Sequence, residues 1–181
     1  MLLGILSDTH NHLPPTRTAL TLLLTHGARH LIHCGDSGPD VLTLLSATCQ
    51  EHNIHAHVAI GNCDRWFLPT PALRYQIPHL HIDTAPQCHL HNHSCAIVHG
   101  DDPQLLERLI AAGNHDYIFT GHTHQPENRQ VGATRILNPG SCARPRGRPP
   151  SVLLLDLATH QATWRSLDDK ILLVSPPDHA P

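Results

Sequence analysis

The chain opens on an apolar run, Leu2-Leu3-Gly4-Ile5-Leu6, that stops at Ser7-Asp8, and a short apolar run ending at polar residues predicts a buried strand. Pro14-Pro15 then starts a helix, because proline suits the first turn, and Ala19, Leu20, Leu22, Leu23 and Leu24 give it an apolar face that ends near Gly27. A second strand over residues 30–34 leads into Gly35-Asp36. Val41 to Leu45 predicts a returning helix, and a third strand over 55–60 ends at Gly61-Asn62-Cys63-Asp64. This alternation predicts parallel strands wound right-handedly, with polar residues gathered beyond their carboxyl ends.

Farther along, residues 72–84 predict shorter strands, 94–99 a strand ending at His99, 103–112 a helix, and 116–120 a strand ending at Gly121-His122-Thr123-His124. Residues 131–172 read as β-rich, with turns at Gly132, Pro139, Pro145, Gly147, Pro149 and Pro150 and a closing hairpin formed by 152–157 and 162–167. The pattern implies one domain over residues 1–175, with a frayed tail over 176–181.

Composition narrows the function classes. At 181 residues and 40% hydrophobic, the chain can bury one sizeable core. Net charge is -3, and Lys and Arg are scattered except at Arg144-Pro145-Arg146-Gly147-Arg148, which reads as a solvated turn, with a grip on a phosphate or an anionic polymer as the alternative. That distribution gives no signal for a nucleic-acid partner. No run is long enough to cross a membrane, and the N-terminus lacks the pattern of a signal peptide. Six cysteines without a CxxC pair suit a reduced, cytoplasmic protein. The 19 histidines make HxH pairs common here, so that spacing alone cannot mark a metal site.

Order is more specific. Asp8-Thr9-His10, Gly35-Asp36, Gly61-Asn62-Cys63-Asp64, His99-Gly100-Asp101 and Gly121-His122-Thr123-His124 each follow a predicted strand, and Asn138-Pro139-Gly140-Ser141 comes after them. Asp8 alone suits a turn or helix cap, and a lone histidine suits the surface. Together and in this order, the loops closely resemble the calcineurin-like metallophosphoesterase superfamily, in particular its small bacterial and archaeal phosphodiesterase branch. The resemblance implies two packed mixed β-sheets flanked by helices, an α/β (α+β) sandwich. It also implies two divalent metal ions, with manganese favoured over iron, zinc or nickel.

By the same resemblance Asp8, His10, Asp36 and His124 would hold one ion, and Asp36, Asn62, His99 and His122 the other, with Asp36 shared. A hydroxide between the ions would attack phosphorus, so the expected reaction is phosphodiester hydrolysis of a small-molecule substrate. Asn62 and Arg65 are expected to meet the phosphate, Asp64 to orient a ligand from behind, and Cys63 to stand where many relatives carry a histidine that protonates the leaving group. Losing that acid favours a diesterase over a monoesterase. His33 and Cys34 are expected to pack, and Asp101, where the branch often has histidine, to cap the helix starting near Pro103. A phosphomonoesterase, or a non-catalytic scaffold like the retromer subunit of this fold, is the alternative. The sequence leaves a homo-oligomer and the choice of substrate open.

Overall fold

The computed structural model describes residues 1–68 and 77–175. Residues 69–76 and 176–181, with part of the short strands expected over 72–84 and all of the expected tail, lie outside the described residues. The elements are β1 (Leu2–Leu6), α1 (Leu13–Thr25), β2 (His30–His33), α2 (Pro39–Glu51), β3 (Ala56–Ala59), β4 (Leu80–Asp83), β5 (Gln87–Leu90) and β6 (His93–Ile97). They continue with α3 (Pro103–Ala112), β7 (Tyr117–Phe119), β8 (Pro126–Val131), β9 (Thr134–Pro139), β10 (Ser151–Asp156), β11 (Gln161–Ser166) and β12 (Ile171–Ser175).

The strands form a seven-stranded sheet, β12-β11-β10-β1-β2-β3-β4, and a five-stranded sheet, β5-β6-β7-β9-β8. In the first, β1, β2 and β3 run parallel, as the sequence predicts, β4 adds parallel to β3, and β10 adds antiparallel to β1. In the second, β6, β7 and β9 are parallel, with β5 and β8 antiparallel at the edges. Period-two alternation sends Leu31, Ala56 and Val58 to the face covered by α1 and α2, and Ile32 and Ala59 to the opposite face. There they meet Ile97, Tyr117, Phe119 and Leu137 of the second sheet. The outer face of that sheet, with Ala96, Ile118 and Ile136, is closed by Leu105, Leu106 and Leu109 of α3. The order of layers is therefore helices, sheet, sheet, helix.

α2 is longer than expected, because Val41, Leu42, Leu45 and Cys49 continue one buried stripe and Pro39 occupies its first turn. The segment after Gly121 contains a hairpin, β8-β9, turning at Gly132, and β12 adds a third antiparallel strand to the expected closing hairpin. Asp102, not Asp101, caps α3: its carboxylate accepts from the Gln104 and Leu105 N–H groups at 3.0 and 3.1 Å. Asp101 instead holds Arg65 in an ion pair at 2.7 Å.

Candidate metal centre

Five strands deliver donors to one edge of the sandwich: β1 leads to Asp8 and His10, β2 to Asp36, β3 to Asn62, β6 to His99, and β7 to His122 and His124. In parallel strands the carboxyl ends lie together, so loops far apart in sequence converge. Asp8, His10, Asp36, His122 and His124 all have positive φ, at 54°, 45°, 54°, 64° and 60°. Non-glycine residues reach that region at a cost of about 1–3 kcal/mol each, and such strain concentrates at functional sites.

The surrounding framework holds this backbone in place. Asp8 N–H donates to the Gly35 carbonyl at 3.0 Å and His10 N–H to that of Asp36 at 2.8 Å, locking the first two loops together. Ser141 Oγ donates to the Asp8 carbonyl at 2.9 Å, and Asn138 Nδ2 to that of Gly121 at 2.8 Å. The Asn138-Pro139-Gly140-Ser141 turn thus braces loops from both sheets. Gly61 and Gly121 have ordinary φ and are needed for space: an added Cβ would run into Asp36 at the first and into Ser7 and Asp8 at the second.

The donors converge in three groups, Asp8–His10–His124, Asp8–Asp36–His99 and His10–Asp36–Cys63, each with its ligand atoms within 4.8 Å of one another. His99 Nδ1 pairs with the Cys34 carbonyl at 2.8 Å, and His124 Nδ1 pairs with the Arg144 carbonyl. A carbonyl can only accept, so each imidazole carries its proton on Nδ1 and turns Nε2 inward. His99 Nε2 lies 3.4 Å from Asp36 Oδ2, and His124 Nε2 lies 3.2 Å from Asp8 Oδ1. Asp8 Oδ1 and His99 Nε2 are buried yet have no hydrogen-bond partner among the described residues. With the imidazoles neutral, lone pair faces lone pair, an arrangement that a bound cation resolves.

In the metal-free protein, protons resolve part of it. Burial alone would lower the His99 pKa, but Asp36 and Asp8 outweigh it and lift it to about 8. Burial would likewise raise the Asp36 carboxyl, yet His99 and the Cys63 N–H hold it below the usual carboxylate range. Burial dominates at Asp8 and pushes it up. A metal takes neutral imidazole, so binding below pH 8 displaces the His99 proton and weakens as pH falls. Calorimetric titration of metal-stripped protein at pH 7 should therefore show release of about one proton per protein, read from the buffer dependence of the enthalpy. Buffer-independent heats would contradict this.

An open hollow of about 310 Å³ is lined by His10, Asp36, Asn62, Cys63, His122, His124, Arg144 and Arg146. His33 and Cys34 are buried outside it; His33 pairs with Thr9 Oγ1 at 3.0 Å and accepts from Gly35 N–H at 3.2 Å. Asp64 is buried behind the site, where it accepts from Ser37, Gly38 and Gly61. Arg65, paired with Asp101, is absent from the lining, and the guanidiniums beside the donors belong to Arg144 and Arg146. The sequence favours a solvated turn for these two arginines over a grip on phosphate, and in the structure both line the hollow. Their basic run was visible, but the bonds that fold it back, from Arg144 N–H to Ser141 Oγ and from His124 to the Arg144 carbonyl, were not.

Fold and site together define a metallophosphoesterase. The chain matches the calcineurin-like phosphoesterase superfamily domain over residues 1–174 and belongs to that family. It is 29% identical over 170 residues to phosphodiesterase MJ0936 of Methanocaldococcus jannaschii, covering 92% of this chain and 98% of that one. It is 33% identical over 171 residues to phosphodiesterase YfcE of Escherichia coli, covering 86% and 88%. A solved archaeal phosphodiesterase superposes with a TM-score of 0.78 at 26% identity, over 95% of this chain and all of that one. Family and donor cluster together indicate divalent metal ions.

Proposed function

We propose that the chain is a metal-dependent phosphodiesterase acting on small-molecule diesters, with Asp8, His10, Asp36 and His124 around one divalent ion and Asp36, Asn62, His99 and His122 around a second. The observation that carries this reading is the inward-facing Nε2 of His99 and His124 opposite the carboxylates of Asp36 and Asp8. Carboxylate, carboxamide and imidazole donors suit manganese, our first choice, and also iron, zinc or nickel. When bound, two such ions activate water at neutral pH and neutralise charge on phosphate. Six free cysteines support work in a reducing cytoplasm.

The chain's own groups do the rest. Asp36 is oriented by the Cys63 N–H, which donates to its Oδ1 at 2.8 Å. Arg144 and Arg146 face the hollow, where they can take phosphate oxygens. Asn62 lines the same hollow and can hold a ligand oxygen or the phosphate. Arg144→Ala keeps the backbone carbonyl that fixes His124, so it should raise KM for a diester by about tenfold with little change in kcat. Equal KM in both proteins would remove Arg144 from substrate binding.

Cys63 decides between diester and monoester. Burial first, then the Asp36 carboxylate, pushes its thiol up to about 11, far from the neutral pKa that suits a general acid. Leaving groups that depart without a proton suffer least, which favours aryl diesters. The test compares bis-p-nitrophenyl phosphate with p-nitrophenyl phosphate, using metal-stripped protein with and without manganese. Manganese-dependent diester preference is expected, and Cys63→His should shift the ratio toward the monoester by about 10²-fold. Monoester preference in the unaltered protein would overturn this role of Cys63, and inactivity with every divalent metal would leave the scaffold reading.

A further inference from the structure

At the opposite end of the parallel strands from the metal centre lies a second concentration of histidine. Repeated HxH spacing, uninformative in the sequence, acquires meaning from strand register. His57 on β3 is paired with His81 on β4, and residues two apart on a strand share a face, so His55 and His57 stand beside His79 and His81. His30 at the start of β2 completes the row, its Nε2 2.8 Å from His57 Nδ1. Ring centroids are 5.0 Å apart for His30 and His57, and 5.2 Å apart for His55–His79 and for His57–His81. All five imidazoles line one open hollow of about 420 Å³. Among the described residues the buried His79 Nδ1 has no hydrogen-bond partner.

The neighbouring sheet supplies a sulfur. Cys88 on β5 is partly buried and packs into the cluster between the sheets, across the ladder from Cys95. Its thiol lies near Cys95 and near the His57 and His81 imidazoles. Cys95 most of all, and then the two imidazoles, lower the Cys88 thiol pKa against the effect of burial. Burial, with His57 next, lowers the His30 pKa to about 4, so this imidazole is neutral and its lone pair is available. Thiol sulfur and imidazole nitrogen together are the donor set that borderline-soft transition ions select over magnesium or calcium.

We propose that a second metal site lies at the floor of this hollow, where His57 and His81, with His30 as a further donor and Cys88 reaching in from the neighbouring sheet, bind one zinc-class transition ion independently of the phosphoesterase centre. The imidazoles stand in pairs, His30 with His57 and His57 with His81, and not as a group with all ligand atoms within 4.8 Å, so an ion would have to draw them together across the open hollow. Such an ion would tie β3 and β4 of one sheet to β5 of the other.

Metal content and cobalt spectra test this on reduced, metal-stripped full-length protein. After zinc loading and desalting, the unaltered protein should retain one more equivalent than His57→Gln/His81→Gln, by elemental analysis. The cobalt-loaded protein should show a near-ultraviolet thiolate-to-cobalt band that Cys88→Ser loses and Cys63→Ser, altered at the phosphoesterase centre, keeps. Circular dichroism and diester hydrolysis should be unchanged in the double variant and in Cys88→Ser. Equal zinc content in the unaltered and double-variant proteins, or a cobalt band that survives Cys88→Ser, would overturn the proposal.

Discussion

Asp36→Asn should leave a folded protein in which manganese-dependent hydrolysis of bis-p-nitrophenyl phosphate falls by about 10³-fold, because about 4 kcal/mol of metal-derived charge stabilisation corresponds to that factor. Asp36 belongs to two of the three donor groups and is the carboxylate that both His10 and His99 approach, at 3.9 and 3.4 Å. An asparagine keeps the shape and can still accept from the Cys63 N–H through its oxygen. Its amide then turns a donor toward His99, and the carboxylate charge is gone. Steady-state kinetics with metal content measured in parallel separates the causes. Loss of both activity and bound metal supports the shared-ligand role, whereas undiminished activity would place the chemistry elsewhere in the molecule.

Much of this arrangement was legible in the sequence, for a definite reason. Each donor follows a strand, and apolar runs as clear as Leu2 to Leu6 mark strands without ambiguity. Parallel winding then brings the strand ends together, so the order of the loops carried the site. What could not be read depends on contacts across the fold. The role of Asn138 and Ser141 as braces needs the approach of β9 to both the β1 and β7 loops, and the approach of Arg144 needs the turn that Ser141 organises. The pairing of Arg65 with Asp101 joins residues far apart in sequence, and either residue alone offered a plausible local role. β12 was missed because Ile171, Leu172, Leu173 and Val174 are all apolar, so the run lacks the alternation that marks a half-buried strand, although all four remain exposed.

Asp64 carries the other large effect, and it acts on stability and metal affinity rather than through contact with substrate. Its Oδ1 accepts from Ser37 N–H at 2.9 Å, Ser37 Oγ at 3.0 Å and Gly38 N–H at 3.0 Å, and its Oδ2 accepts from Gly61 N–H at 2.9 Å. One buried carboxylate thus fixes the loop carrying Asp36 against the loop carrying Asn62. Asp64→Ala strips partners from three backbone N–H groups at once, and at about 1–3 kcal/mol for each buried unsatisfied donor the expected destabilisation is about 3–5 kcal/mol. Asp64→Asn separates positioning from mere support. The amide oxygen can keep the three donors at the Oδ1 position, but the amide nitrogen then meets the Gly61 N–H, donor against donor. Only the Asn62 loop is released, so stability should fall by about 1–2 kcal/mol while metal affinity falls by about 10- to 100-fold. Denaturant unfolding of the metal-free protein gives the first quantity and titration with manganese the second. If the asparagine variant lost stability but bound manganese as tightly as the unaltered protein, Asp64 would support the fold without positioning the site.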